Sequence, residues 1–129
     1  MNVFKDTEHM YTVLGGLWTK LLEHPVNGKK FKEAQLTIKF SLSEPNGILW
    51  VTPDGVFTGE QNFKPDVEMT LSGNTAHKFW LKEISLPVAL AKKLIVSKGS
   101  ISQVMKLIPL LNPLHDMYPE ICEKYGLPK

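Results

Sequence analysis

The hydrophobic period of this chain changes between residues 22 and 36, and that change limits what it can fold into. From the N-terminal side, Met10, Val13, Leu14, Leu17, Trp18, Leu21 and Leu22 follow the 3.6-residue spacing of a helix with one apolar stripe. Asp6 or Thr7 stands before it as a cap, and His24-Pro25 with Asn27-Gly28 ends it. Gly15 and Gly16 interrupt the stripe, each costing about 1 kcal/mol relative to alanine. Such a pair admits close approach of another backbone or plain tolerance. Beyond the break, Leu36, Ile38, Phe40 and Leu42 alternate with Thr37, Lys39 and Ser41, the period of a strand with one buried face. A helical stripe and a strand face must each be covered. The chain is therefore expected to bury one against the other.

Turn chemistry divides the next stretch. Pro45-Asn46-Gly47 leads into a strand at Ile48–Thr52, and Pro53-Asp54-Gly55 into another at Val56–Gln61. Val67, Met69 and Leu71 alternate with Glu68 and Thr70 in a fourth strand. A helical stretch follows over Thr75–Leu81, and Ser85 with Pro87 starts a short helix ending near Lys93. Leu94–Lys98 has the length of a fifth strand, and Ser100 with Gln103 forms a capping box. Pro109 and Pro113 are expected to break the following helix, leaving a last amphipathic segment from about Leu114 to Tyr125. A strand meander with helices before and after it is an α+β arrangement, with helices over one sheet face.

The 129 residues suit one domain. Surface scaling gives a folded area of about 6,900 Å² against about 21,000 Å² unfolded, so a real core is expected. With 43% hydrophobic residues the chain is too apolar for disorder, and no apolar run reaches the roughly 18 residues of a membrane span. A net charge of +2 is weak for a nucleic-acid binder, and the dense cluster of Lys29, Lys30 and Lys32 reads as a solvated loop before a strand or, as the lesser alternative, a weak patch facing anionic lipid or a phosphate. Cys122 is single, so no internal disulfide forms, and MNVFKDTEHM lacks the apolar stretch of a signal peptide. A cytoplasmic protein is the expectation.

No catalytic constellation emerges. His9, His24, His77 and His115 are scattered and lack metal-ligand spacing, so neither metal nor cofactor is expected. His77 is a candidate base without a partner in sequence, and Cys122 suits a small core position better than a reactive thiol. Asp66 and Glu68 share a strand face whose alternation with Val67 and Met69 fits a solvated side. What the second half holds in surplus is large apolar side chains on short, proline-interrupted helices, including Phe79, Trp80, Met105 and Ile108. Such residues build either a core or an adaptable apolar pocket.

Five pieces in order resemble one family. They are Trp50 followed by Pro53-Asp54-Gly55-Val56, then Pro65–Leu71, Leu86–Ala91, Lys93–Ser100 and Val104–Leu107. Together they resemble the sterol-binding, non-specific lipid-transfer domain of the sterol carrier protein-2 family, over roughly residues 10–110. Glu83 and the neighbourhood of Lys92 depart from that pattern, where the family carries glycine. The resemblance implies a five-stranded, mostly antiparallel sheet with helices on one face and an apolar tunnel between them. Residues 1–112 would form the lipid-binding domain, and residues 113–129 an amphipathic extension packed on it. Inward residues of the fourth and fifth strands, Met69, Leu71, Leu94 and Val96, would line the tunnel. Phe79, Trp80, Leu90, Met105 and Ile108 would cover it, with Trp50 also contributing; Gln103, and second to it Lys106, would stand near the mouth to meet a carboxylate or head group.

The function implied is carriage of a sterol, fatty acid, fatty acyl-CoA or similar lipid without turnover, with transient membrane contact and either a monomer or a dimer. A second expectation is a non-catalytic interaction domain of the same fold, for dimerisation or a lipid-quinone biosynthesis assembly. A third, a small acyl-CoA thioesterase, requires a long central helix wrapped by the sheet, whereas the long helix here precedes the strands.

Overall fold

A computed structural model describes residues 2–129. Helix α1 spans Thr7–Glu23, and the Asp6 carboxylate caps it by accepting from the His9 N–H at 2.8 Å. All seven apolar residues of its stripe are buried. A short helix α2, Asn27–Ala34, stands where the sequence suggested a solvated loop. Its Phe31 is completely buried against Trp18, ring centres 5.7 Å apart, while Lys29, Lys30 and Lys32 stay exposed. One anchoring aromatic thus docks a helix whose composition alone reads as polar.

Strands β1 (Ile38–Ser43), β2 (Gly47–Thr52), β3 (Gly55–Thr58), β4 (Val67–Ser72) and β5 (Ile95–Gly99) form one sheet in the order β3-β2-β1-β4-β5. Three of the four pairings are antiparallel; β1 and β4 run parallel, so the sheet is mixed and not a simple meander. Asp66 secures that parallel pair, since its carboxylate accepts from the Thr37 N–H at 2.9 Å and its own N–H donates to the Thr37 carbonyl at 2.8 Å. Glu68 bridges the same strands through Ser41 at 3.0 Å and Lys39 at 3.9 Å. The two carboxylates therefore have structural work on the half-exposed face.

Register sorts the strand residues. Ile38, Phe40 and Leu42 lie beside Val67, Met69 and Leu71, and beside Val51, Leu49 and Gly47, on one face. Helices α1, α3 (Gly73–Trp80) and α5 (Ile101–Tyr125) cover that face. The N-cap hydroxyls of Ser72 and Ser100 accept from the N–H groups of Thr75 and Gln103. The short α4, Leu86–Ala91, is capped by Ser85 and carries Pro87 in its first turn.

Helix α5 is continuous through Pro109, Pro113 and Pro119, contrary to the expected break. Its buried residues Leu107, Leu111, Leu114, Tyr118, Ile121 and Cys122 keep one uninterrupted helical stripe across all three. Burial of that stripe outweighs the roughly 3 kcal/mol that an interior proline costs. The first six residues of α5, by contrast, contribute no buried side chain.

Of the two readings of the Gly15–Gly16 pair, plain tolerance is the one that holds. A Cβ at Gly15 would meet only the side chains of Val56 and Leu49 at 3.8 and 3.9 Å, so no backbone approaches there. Close backbone approaches occur instead at Gly28, Gly73 and Gly99, where a Cβ would come within 3.1 Å of the carbonyl oxygens of Leu22, Glu44 and Asp66. Where the sequence lacks the family's glycines, the left-handed backbone falls on Lys82 (φ 67°) and Lys93 (φ 59°).

Candidate ligand site

Between the sheet and its helices lies a small, almost wholly apolar cavity of about 20 Å³. Phe40, Leu42, Met69 and Leu71 form its floor because the parallel β1–β4 register stacks these two pairs side by side. Leu14 and Trp18 of α1 close one side, Ala76, Phe79 and Trp80 of α3 another, and Leu111 of α5 the roof. Trp18 and Trp80 meet edge to face with centroids 6.0 Å apart, and Phe79 lies 4.8 Å from Trp80. Such a space admits about one water, so aromatic rings occupy the centre of the layer in this conformation.

Two open grooves share walls with this cavity. One, of about 570 Å³, runs along the free edge of β5 between the end of α4 and the start of α5. Leu90, Val96, Ile101, Val104 and Met105 line it, and it shares Ile95 with the interior. The Ser97 hydroxyl in its wall is buried and has no hydrogen-bond partner among the described residues. The second, of about 290 Å³, lies under Ile84 and Ile108 and shares Phe79, Leu86 and Leu111 with the interior. His115 borders this groove, its Nδ1 3.3 Å from the Trp80 carbonyl oxygen, and burial holds its pKa below the ordinary value. A wider depression of about 840 Å³ between α1, α2 and the β2–β3 turn is lined by charges of both signs, including Glu23, Lys29, Lys32 and Asp54. Pockets for apolar ligands carry few polar groups, whereas most residues around that depression are polar or charged.

The expected site residues divide accordingly. Met69, Leu71, Phe79 and Trp80 meet in the interior cavity, Leu90, Val96 and Met105 in the β5-edge groove, and Ile108 in the second groove. Gln103 is half-buried in the first turns of α5 and lines none of these spaces. Leu94 and Val96 do not face inward. Leu71 pairs with Ile95 and Met69 with Ser97, so Ile95 and Ser97 hold the inner face while Val96 is 44% exposed. Both parities of this strand carry apolar residues, so only pairing with β4 selects the face. Trp50 sits on the opposite side of the sheet beside Phe63, 5.5 Å between centroids, and its indole N–H donates to the Gly59 carbonyl. It therefore does not line the cavity.

Sequence reasoning missed Trp18, Phe40 and Leu42 as lining residues. The signal was present: both strands β1 and β4 show inward apolar alternation, and α1 carries a tryptophan in the middle of its stripe. Their convergence needed the parallel pairing.

Among the described residues no cluster of His, Cys, Asp or Glu could hold a metal ion, and no helix is long and apolar enough to cross a membrane. His77 is 4% exposed and shares a 2.8 Å hydrogen bond with the Tyr118 hydroxyl, away from the cavity lining. Cys122 is fully buried, and burial pushes its thiol pKa up.

No family model matches the chain, nor does any curated protein. Solved structures do. The sterol carrier protein domain 2 of Helicoverpa armigera superposes with a TM-score of 0.71 at 16% identity, over 83% of this chain and 89% of that one. Sterol carrier protein 2 of Yarrowia lipolytica in its apo form gives 0.60 at 14% identity, over 80% and 90% of the two chains. A UbiJ-SCP2 ubiquinone synthesis protein gives 0.59 at 14% identity, over 80% and 88%. At such identities the likeness is one of fold.

Proposed function

We propose, for a chain with the sterol carrier protein 2 fold, that it binds and carries an apolar lipid between sheet and helices without chemical turnover, acting in the cytoplasm. The ligand class is a fatty acid, fatty acyl-CoA, sterol or similar molecule. One observation carries the reading: a closed apolar cavity is flanked by two grooves that share its walls, under helix segments holding few buried side chains. A dozen buried methylenes give about 10 kcal/mol gross, the favourable term set against ordering the ligand and displacing α4 and the start of α5. The Ser97 hydroxyl and Lys93 are the polar side chains in a groove otherwise lined by apolar residues and Gly99. No positioned acid or base is needed for carriage.

Native mass spectrometry of gently purified protein, with titration of a fluorescent fatty acid, tests this. The expected result is a co-purifying lipid mass and saturable binding at one per chain. Trp50→Phe should keep the tryptophan emission change on binding, because Trp18 and Trp80 line the cavity and Trp50 does not. Absence of both lipid mass and saturable binding overturns the reading.

The closed cavity and the likeness to a ubiquinone synthesis protein favour a second reading, a non-catalytic accessory domain whose layer stays filled. Under it the fluorescent fatty acid shows no saturable binding, while the purified chain still folds cooperatively.

A further inference from the structure

We propose that the face built from α4, β5 and the first turns of α5 docks on the surface of an anionic lipid bilayer. The inference rests on the carrier reading above, because it names where such a carrier would meet its lipid source.

Charge and apolarity coincide over the longest stretch on this face; the shorter basic stretch at residues 24–32 has one exposed large apolar side chain, Val26, beside its three lysines. From Ile84 to His115 the chain has no aspartate or glutamate but holds Lys92, Lys93, Lys98 and Lys106, all exposed. The other eleven lysines are outnumbered by all thirteen acidic residues. The protein's small net charge of +2 thus hides a segment of +4 set against a remainder of −2. Glu68 is the acidic group that faces this segment from β4, in register with Lys98, and it already engages Lys39 and Ser41.

The same segment carries the most exposed large apolar side chains. Ile101 is 82% and Met105 61% exposed, and Val88, Leu90, Leu94 and Val96 join them. Ile101, Met105 and Ile108 recur at helical spacing on α5, so they form a continuous exposed stripe rather than scattered residues. A contiguous apolar patch of this kind marks an interaction surface, and a ring of lysines around it selects a negatively charged one. Bilayers with anionic headgroups supply both components at once: acyl boundary for the apolar stripe and surface potential for the lysines. The β5-edge groove opens in the middle of this patch, so docking would place its mouth against the lipid.

Vesicles of phosphatidylcholine, with and without phosphatidylglycerol, provide the test by co-sedimentation. Binding is expected only with phosphatidylglycerol present and should weaken as salt rises. Lys92→Gln with Lys106→Gln should reduce the partition about 25-fold, roughly fivefold for each lysine near the surface. Ile101→Ser should reduce it further, whereas Lys29→Gln with Lys30→Gln on α2 should leave it unchanged. All these positions are exposed, so the variants keep the fold, and circular dichroism verifies that. Equal binding to both vesicle types, or loss with the α2 pair instead of the Lys92/Lys106 pair, overturns the proposal. So does a wild-type dimer in solution that Ile101→Ser converts to monomer, because the patch would then meet a second copy. Fatty-acid titration without vesicles is read separately. Its failure sinks the carrier reading, and loss of vesicle binding alone sinks the docking face.

Discussion

Gly28 and Gly15 both stand within helices of the fold, yet their surroundings assign opposite outcomes to the same change. A methyl at Gly28 meets the Leu22 carbonyl, backbone that cannot swing aside, so Gly28→Ala should cost about 1–3 kcal/mol. At Gly15 the nearest atoms are ordinary contacts, and Gly15→Ala should gain up to about 1 kcal/mol from helix propensity. Urea denaturation of the two variants checks both signs. A second residue-scale consequence concerns His77, which is held neutral chiefly by burial, against the raising effects of the Pro128 carbonyl and Glu83. Its folded pKa lies below the ordinary 6.5, so the unfolded chain takes up the proton first. The stability it contributes is full above pH 6.5 and is lost as pH falls through the lowered folded value. His115 shifts in the same direction. Melting temperatures from pH 7.5 to 5 should fall, and His77→Gln should flatten part of that slope. None of this was legible in sequence, where each histidine looked isolated, because Tyr118 lies forty-one positions from His77.

At the scale of elements, the chain's own patterning located α1, β1, β4 and β5, since period and caps mark them within a few residues. The two clear misses have one cause. Both α2 and the continuous α5 look non-helical locally, one by its lysines and Asn-Gly, the other by its prolines. Each is helical because a few side chains find a large buried contact: Phe31 on Trp18, and the Leu107–Cys122 stripe on the core. Tertiary burial overrides propensity when it is worth several kcal/mol. It follows that α5 holds its prolines at a cost, and Pro109 stands beside the weakly packed residues 101–106. Pro109→Ala restores a hydrogen bond to the Met105 carbonyl, raising the melting temperature by up to about 3 kcal/mol worth of stability. The same change should slow release of a bound fluorescent fatty acid, measured by stopped flow.

For the whole molecule, stability is divided unevenly. The buried side chains come from Phe4, α1, Phe31 of α2, Leu36, the sheet, α3 and the chain from Leu107 onward, while α4 and residues 101–106 hold only Ala89. Weakly packed segments open at low free energy. Amide hydrogen exchange should therefore be fast in α4 and residues 101–106 and slow in α1 and β1, and a bound fatty acid should slow the first group selectively. Uniform protection across both groups would contradict this division.

By itself, the sequence determined the element types, the caps and the apolar face of most elements, because these are set by neighbours a few residues apart. It also determined the absence of acid between residues 84 and 115, since composition needs no fold. Only the tertiary structure decided that β1 and β4 run parallel, which β5 residues face inward, and that Trp50 lies outside while Trp18 lines the cavity. Those outcomes depend on contacts between residues far apart in the chain, where several registers bury similar apolar area. Packing of the complete layer is what separates them.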